Sequence, residues 1–416
     1  MYSTITPNIP QNALRLCQGC GMAVQHLKLE NKQNAYCPRC STQLYRGARH
    51  SFSGDIALAI SALMLFIPVI IYPFLSIRLV GEVIPATVLD GVRLLNDEGY
   101  LFVAILVLLC GFLVPLLHCS CVLMANFALK TTNFPLMRWS MFGVHHLKHW
   151  MMIDVYIVSI VICCIKLRDY SDLIFGIGIP ILVVLQFVCL ILVMRVSPRR
   201  YWKKWDRQTQ TLRQQPLNIE QGIADCPHCH LPQNTGSRCQ RCNSSLTQND
   251  SRSIQATWAL IIVAALALIP ANVIPISILY ANGARIEDTI FSGVISLVNS
   301  DMVAIAIVIF VASIVVPVAK ILGILYLLLC IHFKRTVYHR QRMMLFYIVK
   351  WIGKWSMVDI FVMAIMLTLV DRGQILNFTP GYGAVAFGVV VVFTMFAAET
   401  LDSKLIWKNY SNKNEK

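Results

Sequence analysis

Eight of the fifteen cysteines fall into four Cys-x-x-Cys pairs. Two residues between cysteines is the spacing at which one tight turn presents both sulfurs to a single ion. Cys17 and Cys20 precede Cys37 and Cys40 with sixteen residues between the pairs, and Cys226 and Cys229 precede Cys239 and Cys242 with nine. Each set supplies four thiolates, which fill a tetrahedral shell and leave no position for a substrate. The chemistry implied is structural metal binding in two small zinc ribbons, with two Zn2+ ions as the expectation. Iron in the same thiolate cage, which would make the chain a membrane redox protein, and a redox dithiol stay open as alternatives. Short polar segments of this kind lack a core and use a metal to fold. His228 and His230 flank the second set and read as bystanders.

A second group consists of ionisable and polar residues inside long apolar runs, where a charge costs ~2.5–3.5 kcal/mol and calls for a partner or a task. Lys320 lies three residues after Pro317, which has no N–H to bond the carbonyl of Ser313. Ser313 and Lys320 are seven apart and share a helix face, so they predict a polar notch. Lys320 reaching out to a headgroup is the alternative. Lys166 and Asp169, three apart, form either a local ion pair or a partner set facing Lys320, where amine and carboxylate exchange protons. The Thr394 hydroxyl extends such a relay, unless it bonds its own helix backbone. Asp154 and Asp359 each follow a tryptophan, Trp150 and Trp355, by four residues, and read as ion-pair or helix-end groups. His145, His146 and His149 read as an interfacial surface. No Walker loop, HExxH or GxSxG arrangement occurs, so neither direct use of ATP nor an enzyme is expected.

The elements that must position these groups follow from composition. The 416 residues are 56% apolar and 14% charged, with a mean hydropathy of +0.62. Soluble chains run near 45–50% apolar and about 25% charged, so an ordinary soluble enzyme and a disordered chain are both excluded. Apolar stretches near 55–77, 100–125, 150–167, 173–195, 254–280, 302–332, 344–370 and 377–399 predict eight spans of an all-α polytopic membrane protein. Lys and Arg number 27 in alternate segments that include both termini, against five (Arg78, Arg93, Arg168, Arg285, Arg372) in the others. That asymmetry places both termini and the central segment in the cytoplasm. The net charge of +15 then reads as attraction to anionic headgroups rather than to nucleic acid. Residues 1–50 show no cleavable leader, so the first apolar stretch reads as an anchor. The seven unpaired cysteines, in or beside the spans, read as small buried apolar side chains.

Setting each residue beside the one 202 positions later superposes Pro68 on Pro270, Pro73 on Pro275 and Pro115 on Pro317. A shift of 205 superposes Trp150 on Trp355, Asp154 on Asp359 and Trp202 on Trp407. The chain therefore reads as a tandem parallel repeat: a ribbon (1–50), four spans (51–205), a second ribbon (215–250) and four more spans (251–410). His118 stands where the second half has Lys320.

The segments LIPANVIPISI (268–278), EDTIFSGVISL (287–297), ASIVVPVAK (312–320), WIGKWSMVDIFV (351–362) and ETLDSKLIW (399–407), with KHWMMIDVY (148–156) and IKLRDY (165–170), resemble the paraquat-inducible protein A family over essentially the whole chain. The resemblance implies a bacterial inner-membrane protein that works with a periplasmic MCE-domain protein, a hexameric tunnel, in moving phospholipid or a similar amphiphile across the envelope. A proton relay through Lys166, Asp169, Ser313, Lys320 and Thr394 is the expected energy source. A passive platform that only recruits the tunnel protein is the alternative.

Overall fold

The computed structural model describes residues 8–10, 14–27, 29–30, 33–47, 51–79, 82–167, 172–210, 216–218, 222–246, 250–281, 284–299, 303–335, 338–370 and 376–407. Helix α1 (Phe52–Ile71) starts where the Ser51 hydroxyl accepts the Gly54 N–H, and it ends at Tyr72. The strand Leu75–Leu79 follows, paired antiparallel with Glu82–Ala86 on one side and Asp172–Phe175 on the other. Thr87 and Asp90 form a capping box on the short α2 (Val88–Asp97). Next come α3 (Leu101–Leu108), a π-helical turn over Leu109–Leu113, and α4 (Val114–Thr131), one continuous helical run. α5 (Phe134–Leu147), α6 (Ile153–Leu167), α7 (Gly178–Arg195) and α8 (Pro198–Thr209) complete the first half.

The second half repeats the order. α9 (Asp250–Val273) leads to a strand, Ser277–Ala281, flanked antiparallel by Ala284–Asp288 and Leu376–Pro380. The backbone N–H of Ser292 bonds the Thr289 hydroxyl at the start of α10 (Ile290–Asn299). α11 (Val303–Phe310), a π turn over Val311–Val315 and α12 (Val316–His332) again form one run. α13 (His339–Ile352), a 3-10 turn over Gly353–Met357, α14 (Val358–Val370) and α15 (Tyr382–Thr400) close it.

Seven of these runs are long and apolar enough to cross a membrane, and the helix Ile153–Ile165 is apolar but shorter. The eight expected spans are therefore seven plus one short helix among the described residues. The cause is local: residues 148–152 are non-helical, whereas in the second half the 3-10 turn carries His339–Leu369 through as one run. The chain is mostly helical, in keeping with the expected all-α membrane class, and it adds two three-stranded sheets that use loop segments whose backbone groups pair with each other. Glycine permits this packing. A Cβ at Gly381 would strike the Pro275 carbonyl, just as one at Gly176, 205 positions earlier, would strike that of Pro73.

The halves meet along α6 and α14. The Tyr156 ring stands edge-on to Phe361 at 5.4 Å, and the Ser159 hydroxyl donates to the Val358 carbonyl at 3.1 Å. At the end where α1 begins, Asp55 is 0% exposed and accepts from Arg195 Nε (3.2 Å), from Arg200 and from the Tyr201 hydroxyl (3.2 Å). The equivalent positions in the second half hold Thr257 and Thr400, whose hydroxyls lie 3.1 Å apart. One half thus closes its first and last spans with a buried ion pair, the other with neutral hydroxyls. Removing one partner strands the rest. Asp55→Ala is expected to destabilise the protein by about 3 kcal/mol in thermal unfolding in detergent. Replacing the cluster with the second-half solution, Asp55→Thr with Arg195→Thr and Arg200→Leu (Leu405 being the residue 205 positions on), should recover most of that loss.

Candidate functional site

Each cysteine set is built from short hairpins. Strands Leu14–Leu16 and Ala23–Gln25 pair antiparallel, as do Asn34–Tyr36 and Gln43–Arg46, and each turn between them carries a Cys-x-x-Cys pair. The Cys17 carbonyl accepts the Gly21 N–H at 2.9 Å, and Gly21 takes φ +74, the left-handed conformation that glycine adopts without strain. Sulfur separations are 3.4 Å (Cys17–Cys40) and 3.6 Å (Cys20–Cys37) in the first set, and 3.5 Å (Cys226–Cys242) and 3.4 Å (Cys229–Cys239) in the second. Four thiolates about 2.3 Å from one ion lie at nearly this spacing, all eight are buried, and both sets have the geometry to hold a metal ion. Hydrogen bonds between the thiols, Cys20 and Cys229 foremost, draw Cys17 and Cys226 down to about 5 and push Cys20 and Cys229 up in return, so each cluster without an ion shares its protons unequally.

The two modules cross over. Residues 14–47, which precede the first half, dock on the second. Thr42 Oγ1 lies 3.0 Å from the Tyr347 hydroxyl, Arg340 donates to Ser41 at 3.0 Å, and the Arg39 guanidinium sits 4.7 Å above the Trp407 ring. The second module docks on the first half, with Arg241 on Asp206 at 2.5 Å and the His228 ring 5.1 Å from Phe142. His145 lies 6.0 Å from His228 and 5.8 Å from His230. The three histidines read as a surface, His145, His146 and His149, are thus partly a docking seat. Burial, followed by the charge of His230, pushes His145 down to about 3, so it packs as a neutral ring. The modules also touch each other: the Gln18 amide meets His230 Nδ1 at 2.9 Å, and Asn8–Pro10 pairs with Pro216–Asn218.

Lys320 is 1% exposed, enclosed by protein, and its Nζ donates to the Gly353 carbonyl at 3.5 Å. That carbonyl belongs to the 3-10 turn between α13 and α14, where the regular helical ladder is interrupted. Ser313 lies within the π turn, is 1% exposed, and its hydroxyl has no hydrogen-bond partner among the described residues. The Ser356 hydroxyl, in the same 3-10 turn as Gly353, is likewise buried and unpartnered. Thr394 is buried and bonds its own helix, donating to the Val391 carbonyl at 3.0 Å. His118 is 1% exposed with both ring nitrogens unpartnered. Asp154 and Asp359 are half-buried at the starts of α6 and α14. Asp169 and the Lys166 side chain lie outside the described residues.

A cavity of about 230 Å3 opens beside this region, lined by His149 from the first half and by Lys350, Gly353, Lys354, Met395 and Glu399 from the second. Gly353 thus touches the cavity on one side and the lysine on the other. Sequence reasoning missed Gly353 and Ser356. Their signal was the glycine and small polar residue in WIGKWSM, within an otherwise apolar run.

Comparison with known proteins places these features in a family. A family model described as paraquat-inducible protein A matches residues 53–206 and again 254–411. A probable intermembrane transport protein of Haemophilus influenzae is 36% identical over 394 residues, covering 92% of this chain and 93% of the relative. Lipophilic envelope-spanning tunnel protein A of Escherichia coli (strain K12) is 34% identical over 414 residues, covering 99% and 95%. The intermembrane transport protein PqiA of the same strain is 31% identical over 404 residues, covering 94% and 95%. No solved structure matches the chain.

Elemental analysis of the purified chain is expected to give two bound ions per protein. Cys37→Ser should cost one of them and loosen only the contacts of the first module, read as faster proteolysis within residues 14–47. Loss of both ions from that single change would contradict two separate centres.

Proposed function

The chain belongs to the paraquat-inducible protein A family, and from that premise we propose that it is the inner-membrane subunit of an intermembrane lipid transport system. It passes phospholipid or a similar amphiphile between the inner membrane and a periplasmic MCE-domain tunnel, with both termini and both cysteine modules in the cytoplasm. The names of the relatives, intermembrane transport protein and lipophilic envelope-spanning tunnel protein, support this reading. So does the 27-to-5 distribution of Lys and Arg. We read the chain as two parallel units of four spans, the third span of the first unit being short.

The observation that carries an active role is the buried amine of Lys320. An ammonium in the middle of an apolar helix, held among the described residues by one backbone carbonyl, is an expensive arrangement for a passive anchor. It suits a group that gains and loses a proton as its surroundings change. Ser313 and Ser356, on the π turn before it and the 3-10 turn it reaches, offer hydroxyls with no partner among the described residues, and Thr394 joins them only by releasing the Val391 carbonyl to which it donates. Lys166 and Asp169 are the proposed partners across the seam between the halves. Proton passage along this set supplies the energy for lipid movement in a protein with no nucleotide loop. The ions in the cysteine modules are zinc and structural: when bound, each ties two knuckles into one folded unit. Arg39, Arg340 and Arg241 then fix those units to the helices.

Lys320→Met keeps an unbranched side chain one atom shorter and removes the amine. Lipid transfer from proteoliposomes to the reconstituted tunnel partner is expected to fall at least about tenfold, the scale of losing one buried charged contact. Metal content and co-purification of the partner should stay at the wild-type level. Transfer at the wild-type rate would leave the passive platform as the correct reading.

A further inference from the structure

Between the two modules and α8 lies a second cavity, of about 540 Å3, whose charge does not balance. The first module contributes Arg15, α8 contributes Arg199, Lys203 and Arg207, and the second module contributes Arg241. Two carboxylates face these five cations. Asp206 is occupied by Arg241 at 2.5 Å, and Asp225 is shared between Arg199 at 4.0 Å and His230 at 3.6 Å. Arg15 stacks 4.3 Å above the Tyr45 ring and donates to His26 at 3.3 Å, and the attraction it feels from Asp225 is outweighed by burial and by the repulsion of Arg199. Among the described residues no carboxylate pairs with Arg15, Lys203 or Arg207, and Arg199 Nε is buried with no acceptor.

Cations gathered around one cavity repel each other unless an anion joins them. Their mutual field is visible in the neighbours. Burial comes first and the charges of Arg15, Lys203 and Arg199 follow in pushing His26 down to about 4, and Lys203 is lowered by burial and then by Arg207 and Arg15. Guanidinium groups present forked donors that match phosphate oxygens, and a lysine adds a mobile point charge. We propose that this cleft binds a phosphate-bearing anion, and that the anion clamps both cysteine modules onto α8. The volume suits a small organic phosphate or a phospholipid headgroup. α8 follows directly on α7, so its basic face stands at the membrane surface, where an anionic headgroup is also within reach. Arg199 additionally faces the sulfurs of Cys17 and Cys229, so service to the thiolates alone is the competing explanation of the charge.

The test uses the full-length, metal-loaded protein in nanodiscs of phosphatidylcholine, titrated calorimetrically with pyrophosphate. One-to-one binding is expected, weakening with added salt. It should weaken at least about tenfold in Lys203→Gln with Arg207→Gln, changes that leave the buried helix core of Tyr201, Trp202 and Trp205 intact. A second arm uses nanodiscs containing phosphatidylglycerol. If the headgroup is the occupant, pyrophosphate binding is lost there, and native mass spectrometry finds phosphatidylglycerol retained by the wild type but not by the double variant. Pyrophosphate binding equal in both lipids assigns the site to a soluble phosphate compound. Flat isotherms in phosphatidylcholine, with equal phosphatidylglycerol retention by wild type and variant, overturn the proposal and leave the cations as partners of the thiolates. Lys320→Met should bind like the wild type, so this outcome is independent of the transport mechanism.

Discussion

Hydrocarbon offers no hydrogen bonds, so a proline inside a membrane-crossing helix leaves a carbonyl that the protein itself must accommodate. Pro115 and Pro317 create that problem at equivalent positions, and both halves answer it with a π turn directly before the proline. The Val114 N–H reaches back five residues to Leu109, and the Val316 N–H does the same to Val311. The wider turn relieves the clash of the proline ring with the preceding turn and keeps the remaining backbone groups paired. In the second half this turn carries Ser313, and Lys320 follows one turn beyond the proline. The helical break that supplies an acceptor for the lysine, at Gly353–Met357, lies on the neighbouring run. Two interruptions on adjacent spans thus face one buried amine, and the interior of the second half is arranged around their meeting.

The first half keeps the backbone device and changes the chemistry. His118 replaces Lys320, and the segment equivalent to the 3-10 turn, 148–152, is not helical. Its buried charge sits instead at the module end, where Asp55 holds Arg195, Arg200 and Tyr201. The second half has only threonine hydroxyls there. Each half therefore invests its expensive polar burial at a different depth: the first where α1 and α7 are closed against α8, the second in mid-span. The two halves thus share a backbone plan but not a placement of buried charge.

Much of this was legible in the residues. Four Cys-x-x-Cys pairs specify two thiolate sets because the turn geometry is local, and Lys320 stands out because nothing near it in the chain offsets its charge. The prolines foretold an interruption, but whether the helix answers by kinking or by widening depends on what packs beside it. Asp55 went unread as a buried charge, since its partners lie 140 and more residues away. The third span of the first half reads as apolar through Met151 and Met152, yet the helix begins only at Ile153, a boundary that composition does not mark. The sheets escaped notice because their strands come from loops separated by a whole span pair. The basic cleft draws its cations from three segments far apart in the chain, and no single stretch carries its signature.

The crossed docking of the modules bears on how the halves can move. The first module grips α13 and the segment after α15, while the second grips α5 and α8. Among the described residues the modules meet through short contacts: a three-residue strand pair, an amide–imidazole contact, the strand Leu14–Leu16 against Pro232–Asn234, and a small apolar cluster of Leu14, Leu16, Leu217 and Ile223. The membrane seam of α6 and α14, by contrast, is an extended, well-buried interface. If the halves tilt about that seam, the module joint takes the strain, because each module travels with the half that it does not precede in the chain. A joint made of few short contacts around a cavity of excess positive charge is where an anion has the most leverage. Filling the cavity adds bridges between bodies that otherwise share little, and so favours the arrangement in which both modules are seated.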